Sequence, residues 1–329
     1  MVAVLASSGF FHVTPAQTWM LVAVVFVVGL AIGPLLAACT NRLCESPPAR
    51  HERVALAIST AIIFALATWM IVDCEGQWIP EVRPDLSWRF GRLGFHLILL
   101  ALLLTATATD LREYIIPDEV AYLGILLGVT IATASGDVQV IHLWVDWNHP
   151  LVDMSGQYVP EWIGRHPHWH GLAWSLVGAA TGAGITWLAR GISSGILGQE
   201  AMGLGDVTLM AMIGAFLGWQ PVVIVFAIAP FCGIIVALVA KLLFNRTYIP
   251  YGPFLSLAAL LVTFFWKWIW QSEPLPRVSI RRLFGDAIGL AILIGVSLVL
   301  LMVLLSLIRW WKNSELTRSG SVGEHSEER

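Results

Sequence analysis

Two acidic residues lie at the ends of apolar segments, where charged side chains are rare and usually functional. Asp110 follows the apolar run 97–109, and Asp206 ends a Gly-Leu-Gly-Asp motif at 203–206, directly before the apolar run 207–219. Two carboxylates held close together cannot both ionise easily, so one keeps a proton while the other acts as a base. The proton belongs to the pair rather than to either acid. Such a pair can activate a water molecule, as in aspartic peptidases.

Each of these acids also has a structural explanation when it is considered alone. Asp206 could cap the helix that follows it, and Asp110 could be an interfacial residue beside Arg112. Gly203 and Gly205 favour the catalytic interpretation, because residues without a Cβ atom let the backbone approach a substrate closely. A helix that starts just after Asp206 would add a dipole that favours negative charge.

The elements that must position this pair are membrane helices. Of the 329 residues, 57% are hydrophobic and 12% are charged, whereas soluble domains contain about 25% charged residues. A helix that crosses a bilayer needs about 20 mostly apolar residues. The sequence therefore predicts an all-α polytopic membrane protein with about eight or nine transmembrane helices, of which the fourth and sixth are short. The predicted spans are 18–38, 54–72, 93–109, 119–134, 171–189, 207–219, 222–240, 253–270 and 287–308.

The longest polar break, residues 135–170, is predicted to be an extramembrane loop. Each of its charges would cost about 2.5 to 3.5 kcal/mol at the bilayer centre. If this loop does not cross, the chain crosses the bilayer twice between Asp110 and Asp206, so both carboxylates lie on one membrane face. The charged residues of the loop are Asp137, Asp146, Asp153, Glu161 and Arg165.

The end of this loop is rich in histidine, with the sequence His-Pro-His-Trp-His at 166–170. Imidazoles are common metal ligands. A carboxylate or cysteine at a recognisable interval is absent, so a polar interfacial loop is the favoured interpretation and no metal site is predicted. Ten tryptophans near span ends are interpreted as interfacial anchors: Trp144, Trp147, Trp162, Trp169, Trp174, Trp266, Trp268, Trp270, Trp310 and Trp311.

The distribution of charge predicts the orientation and excludes one class of partner. The formal net charge is −3 and there is no long basic run, so nucleic acid is not an expected partner. The loops on the side of Asp110 and Asp206 are slightly richer in Lys and Arg, which places that side in the cytoplasm. The basic residues of that side are Arg42, Arg50, Arg53, Arg112, Arg190, Lys241, Arg246, Arg309 and Lys312.

Three motifs stand at boundaries of the predicted spans. Asp110 precedes a segment that ends in Ile-Pro-Asp at 116–118, Gly-x-Gly-Asp follows at 203–206, and Ile-Pro-Tyr-Gly-Pro-Phe-Leu lies at 249–255. In this order the motifs resemble those of the type IV prepilin leader peptidases, membrane aspartic peptidases of the GxGD class. In that family the third motif reads Ile-Pro-Phe-Gly-Pro-Phe-Leu. A single GxGD motif would be weak evidence, but three ordered motifs form a specific signal.

The resemblance implies a role for several residues of this chain. Asp110 and Asp206 correspond to the two catalytic aspartates, which would activate one water molecule. For Asp118 we expect a supporting role, with capping of the fourth span as the structural alternative. The predicted supporting residues are Gly203, Gly205, Pro117 and Asp118.

The resemblance covers about residues 93–260, with a fainter match at 29–42. It predicts an N-terminal region at 1–92, a peptidase core at 93–270 and an additional C-terminal helix and polar tail at 271–329. Many members of the family also carry paired CxxC motifs, associated with zinc and with N-methylation by S-adenosylmethionine. Those pairs are absent here, so methyltransferase activity is not predicted, and S-adenosylmethionine would be needed only if that activity were retained. The peptidase reaction itself is expected to need no cofactor.

The resemblance implies an enzyme of the bacterial inner membrane that removes leader peptides from prepilin-like or pseudopilin precursors at the cytoplasmic face. The expected partners are this substrate and the lipid bilayer. Two alternatives stay open: a transporter that uses the acids as a proton relay, and a catalytically silent scaffold of a pilus or secretion assembly. The sequence identifies neither the substrate nor the oligomeric state.

Overall fold

The computed structural model describes residues 14–48, 51–82, 86–145, 159–197, 202–244, 250–272, 279–303 and 306. In these residues the regular structure is helical, and Ile79 and Val82 form an isolated bridge. Helix α2 continues into a π-helical turn at Trp69–Asp73. In chain order the helices are α1 (Pro15–Leu43), α2 (Glu52–Thr68), α3 (Leu86–Glu113), α4 (Asp118–Ser135), α5 (Glu161–Arg165), α6 (Pro167–Leu197), α7 (Leu204–Leu217), α8 (Trp219–Phe244), α9 (Gly252–Trp270), α10 (Ile280–Leu283) and α11 (Ala287–Val303).

The apolar helices match the predicted spans in number and order. Within the described ranges, seven are long and apolar enough to cross a bilayer, and α7 and α11 are shorter apolar helices. The prediction of an all-α polytopic membrane protein is thereby confirmed, and the chain is a multi-pass membrane protein. The sixth predicted span is indeed short, because α7 has only 14 residues. The three predicted sequence regions, 1–92, 93–270 and 271–329, remain a prediction.

Helices α3 and α4 are separated by a short break that matters for the site. Helix α3 ends at Glu113, and Tyr114 adopts a φ of 60°, a left-handed conformation that interrupts a helix. Pro117 then forms the N-cap of α4 with a φ of −66° and extended backbone. Proline lacks the N–H that a continuing helix requires, so the chain leaves α3 and starts a new helix here.

Helices α6 and α7 pack with their backbones almost in contact. A Cβ atom built on Gly178 would lie 2.1 Å from the carbonyl oxygen of Gly214, and one built on Gly182 would lie 2.1 Å from that of Met210. Small residues at helix interfaces allow this close approach, on which association of membrane helices depends. The packing fixes the position of α7, the helix that contains Asp206.

The substitution Gly182→Ala is expected to destabilise the fold by about 1 to 3 kcal/mol, because the added methyl group forces α6 and α7 apart. Gly184→Ala is the matched control on the same helix, since a Cβ atom there has no neighbour within 4 Å. Thermal unfolding in one detergent measures both variants. A Gly182→Ala protein as stable as the Gly184→Ala protein would contradict this packing.

The predicted extramembrane loop at 135–170 differs from the structure in two ways. His168 and His170 belong to α6, which begins at Pro167, and the preceding segment 138–145 is largely buried rather than a polar surface loop. The apolar side chains Val138, Val140 and Ile141 explain this burial, because they join the hydrophobic core.

Side chains of the surrounding helices satisfy the buried backbone of this segment. Arg92 donates to the carbonyl oxygen of Gln139 at 2.6 Å, and Trp266 donates to that of Val140 at 3.2 Å. Trp219 donates to the carbonyl oxygen of Leu143 at 2.7 Å, as a buried backbone without regular structure requires.

Two histidines complete the surroundings of the buried segment. Nε2 of His170 accepts the N–H of Leu143 at 3.0 Å, and the side chain of Gln220 donates to the carbonyl oxygen of His142 at 3.0 Å. Burial lowers the pKa of His142, since desolvation disfavours the charged imidazolium. A neutral imidazole is therefore compatible with this enclosed position.

The interpretation of the tryptophans as interfacial anchors is only partly correct. Trp169 and Trp268 are exposed, but Trp174, Trp266 and Trp270 are fully buried. The rings of Trp266 and Trp270 stack with their centroids 5.0 Å apart. These buried rings pack the protein interior instead of marking the membrane surface.

Candidate active site

Asp110 and Asp206 line one cavity of about 280 Å³. Asp110 comes from the last turn of α3 and Asp206 from the first turn of α7, so the two acids reach the cavity from helices distant in sequence. Their shared position agrees with the parity argument that put both on one membrane face. The other described residues that line the cavity are Tyr114, Ile115, Ile116, Met202, Gly203, Leu204, Gly205, Pro250 and Tyr251.

Asp110 is held by the backbone at the start of α9. Its residue is 4% exposed, and its Oδ2 atom accepts the N–H of Gly252 at 3.0 Å. A Cβ atom built on Gly252 would lie only 2.4 Å from that same Oδ2 atom. Only glycine leaves room for the carboxylate at this distance, so Gly252 both binds Asp110 and makes space for it.

Asp206 is held by the backbone of its own motif. It is 7% exposed, and its Oδ2 atom accepts the N–H of Gly203 at 3.1 Å. Helix α7 begins at Leu204 with Gly203 as N-cap, three residues earlier than the predicted start at residue 207. The capping interpretation is thus correct in part, because the carboxylate does bond an N-terminal amide while it also faces the cavity.

The two glycines of the motif have different positions. Gly205 packs against the break between α3 and α4, since a Cβ atom there would lie 3.0 Å from the Cβ atom of Ile116. Gly203 is less crowded, with its nearest neighbours at 3.8 Å. Arg190 of α6 donates to the carbonyl oxygen of Met202 at 3.0 Å. This bond fixes the residue that directly precedes the Gly-Leu-Gly-Asp motif.

Pro117 and Asp118 do not line this cavity within the described part of the chain. Pro117 is the N-cap of α4, and Asp118 is the first residue of that helix. Pro117 ends the break between α3 and α4, and Asp118 follows it. They could therefore support Asp110 only indirectly, by fixing the conformation of residues 114–117. The capping alternative for Asp118 is wrong in detail, because the N-cap is Pro117 and has no side-chain capping bond.

Tyr251 and Gly252 belong to the motif at 249–255, but the sequence alone assigned no function to either residue. The signal was the Pro-Tyr-Gly-Pro run at 250–253 between apolar segments, which marks a sharp change of chain direction. Burial and the charge of Asp206 raise the pKa of Tyr251, so its phenol stays protonated and can act as a hydrogen-bond donor.

Among the described residues, a metal ion would be held by a cluster of His, Cys, Asp or Glu side chains. No group of three or more His, Cys, Asp or Glu side chains in those ranges could hold a metal ion. Nδ1 of His168 lies 2.9 Å from the carbonyl oxygen of Thr133, and Nε2 of His170 is used by Leu143, so both imidazoles have structural partners. That the peptidase reaction needs no cofactor remains a prediction.

The sequence around both acids is similar to that of a known protein family. The model of the Type IV leader peptidase family matches residues 97–238, which contain both Asp110 and Asp206. The resemblance to the type IV leader peptidase family is confirmed. The match ends before Tyr251 and Gly252, so these two cavity residues lie outside the part that matches the family.

Individual relatives carry related names. The chain is 29% identical over 153 residues to a prepilin leader peptidase/N-methyltransferase of Aeromonas hydrophila, covering 42% of this chain and 53% of the relative. It is 29% identical over 163 residues to a type 4 prepilin-like proteins leader peptide-processing enzyme of Escherichia coli O78:H11, covering 45% and 60%. The chain spans about half the length of the curated relatives it matches. No solved structure matches it.

Proposed function

We propose that this protein is an aspartic endopeptidase of the bacterial inner membrane that removes leader peptides from type IV prepilin-like or pseudopilin precursors. The observation that carries the proposal is the position of Asp110 and Asp206 on one cavity, inside the segment that matches the leader peptidase family. Neither the cavity nor the family match alone would specify the reaction. Together they support a role for these two acids as the catalytic pair of a peptidase.

The reaction follows from the chemistry of paired carboxylates. The ionised acid takes a proton from water while the water oxygen bonds to the peptide carbonyl carbon, and the protonated acid donates its proton to the carbonyl oxygen. When this intermediate collapses, the C–N bond breaks and the nitrogen receives the proton that the first acid took from water, while the second acid takes back a proton from the hydroxyl group as the carbonyl re-forms. The products are the leader, with a new carboxylate, and the mature chain, with a new amine.

The protein holds one side of each acid and leaves the other for the reaction. Gly252 and Gly203 bond the Oδ2 atoms of Asp110 and Asp206, which fixes the orientation of both groups. Among the described residues, the Oδ1 atoms have no protein hydrogen-bond partner. The free oxygens are available to a bound water molecule or to the substrate carbonyl group.

The rim of the cavity suits a substrate with an apolar segment. Ile115 and Leu204 line the cavity and are 62% and 61% exposed, although exposed apolar side chains of a membrane protein can also face lipid. We propose that the apolar helix of the precursor lies in the bilayer beside this rim, while its basic leader stays in the cytoplasm. Asp118 would support the site by fixing the break between α3 and α4.

Cleavage of a defined precursor tests the proposed function. Purified wild-type protein in detergent is incubated with a cognate prepilin-like precursor, and mass spectrometry identifies both products. Cleavage at the junction between the basic leader and the apolar segment is the expected result. A folded protein that leaves its cognate precursor intact would contradict a peptidase and favour the scaffold. Methylation of the new amine in the presence of S-adenosylmethionine would show that methyltransferase activity is retained.

A further inference from the structure

Tyr251 contributes a polar side chain to the cavity, and the reaction described above does not use it. It lines the same cavity as Asp110 and Asp206, and it directly precedes Gly252, which binds Asp110. Its ring contacts Phe254 edge to face, with centroids 5.7 Å apart. The ring is therefore packed against α9 and lines the cavity that both acids line.

The hydroxyl group of Tyr251 is shielded from solvent and has no hydrogen-bond partner among the described residues. A buried polar group without a partner is unusual in native proteins. No hydrogen bond compensates for the desolvation of this hydroxyl group. A small change of the Tyr251 side chain that brings the hydroxyl group to an acceptor would therefore be favourable. This hydroxyl group belongs to the residue directly before Gly252, whose N–H binds Asp110.

Asp206 lines the same cavity as Tyr251, whereas Cys232 does not, and besides burial both groups raise the pKa of the phenol. A thiol is a weak acceptor, whereas an ionised carboxylate accepts strong, charge-assisted hydrogen bonds. The raised pKa of the phenol keeps its proton in place at neutral pH. The preferred acceptor for the hydroxyl group of Tyr251 is therefore the carboxylate of Asp206.

We propose that the hydroxyl group of Tyr251 donates a hydrogen bond to the carboxylate of Asp206 and so acts as a positioning residue of the catalytic pair. The catalytic part of this inference rests on the proposed function. The related motif of the leader peptidase family has phenylalanine at this place, which has the ring but not the hydroxyl. The proposed hydrogen bond of Tyr251 would add to the bonds from Gly252 and Gly203, and its donor is present in this chain but not in the related motif.

The hydrogen bond has a measurable consequence for the pH dependence of cleavage. A donor to the ionised acid stabilises the charged form of the pair. Without the hydroxyl, both limbs of the pH profile of kcat/KM should move to higher pH, by about one pH unit for a hydrogen bond to a charged group. We expect kcat/KM on the acidic limb to fall about tenfold in consequence.

The variant Tyr251→Phe tests this proposal, because it removes the hydroxyl and keeps the ring. Tyr122→Phe is the matched control on α4, where the tyrosine is exposed. A shifted pH profile in Tyr251→Phe and an unchanged one in Tyr122→Phe would support the proposal. A Tyr251→Phe profile with the limbs of the wild type would overturn it, whatever the change in overall rate.

A second measurement needs no activity and separates this proposal from the proposed function. Thermal unfolding in detergent is compared for wild type, Tyr251→Phe, Asp206→Ala and the double variant, which forms a double-mutant cycle. Effects that are smaller together than their sum would support the bond, and effects that simply add would overturn it. If the wild type fails to cleave its precursor, the proposed function fails, but the cycle still decides whether Tyr251 bonds Asp206.

Discussion

Replacing either Asp110 or Asp206 with asparagine is expected to lower kcat/KM for precursor cleavage by at least about 10³-fold. An amide side chain can neither take a proton from water nor give one to the substrate carbonyl group. It has almost the same shape, and its oxygen can still accept the N–H of Gly252 or Gly203, so the fold should persist. Cleavage time courses with purified, folded variants measure the loss.

The double variant makes this prediction more specific. When two residues act as one catalytic unit, removing both costs about as much as removing either. We therefore expect Asp110→Asn/Asp206→Asn to be no less active than the single variants. Glu161→Gln is the matched control, because that exposed acid pairs with Arg165 on α5. A single asparagine variant that cleaves at the rate of the control would rule out the catalytic pair.

Gly252→Ala is expected to lower kcat/KM by about 100-fold without any change to an acidic residue. The new Cβ atom would lie 2.4 Å from Oδ2 of Asp110, so the carboxylate must move and its hydrogen bond to the backbone is strained or lost. A displacement of about 1 Å in a catalytic group can cost that much. The same cleavage assay measures the effect, with thermal unfolding as the test of the fold.

The control for this glycine is Gly164→Ala on α5, where an added Cβ atom has no neighbour within 4 Å. It should cleave like the wild type, since it lies outside the cavity. Full activity of Gly252→Ala would mean that Asp110 is not held by α9 in the working enzyme. An unfolded Gly252→Ala protein would show that this glycine is also required for the fold, and cleavage would then be measured at a lower temperature at which the variant is folded.

Local sequence signals were sufficient to predict the helices and the meeting of the two acids. Apolar runs of about 20 residues give the spans, because a bilayer requires hydrogen-bonded helices. The parity of two crossings then places Asp110 and Asp206 on one face. This deduction needs no knowledge of packing, which explains why it agrees with the cavity in the structure.

Other features depend on contacts between distant residues, which local signals do not encode. The N–H of Gly252 meets a carboxylate 142 positions earlier in the chain, and neither residue type alone predicts that bond. The segment 138–145 was predicted to be part of a polar loop because Asp137 and Asp146 flank it and further charged residues follow. Its burial follows from donors such as Arg92 and Trp266, whose partners only the fold specifies.

The start of α7 was displaced for a related reason. The sequence predicted a helix after Asp206, because glycines usually interrupt helices. The structure starts the helix at Leu204, with Gly203 as N-cap and Gly205 inside the first turn. A Cβ atom on Gly205 would lie 3.0 Å from that of Ile116, so close packing favours glycine here although glycine is a poor helix former.

The most direct test of the central claim is whether residues 110 and 206 can be joined in the folded protein. The four native cysteines are replaced first, and Asp110→Cys and Asp206→Cys are then treated with a short bifunctional thiol reagent in membranes. Glu161→Cys with Asp206→Cys is the control, because exposed Glu161 on α5 precedes the end of α6 that packs on the C-terminal part of α7, away from Asp206. We predict an intramolecular cross-link, detected by mass spectrometry, for the first pair and not for the control. Cross-linking of the control pair alone would contradict the shared site.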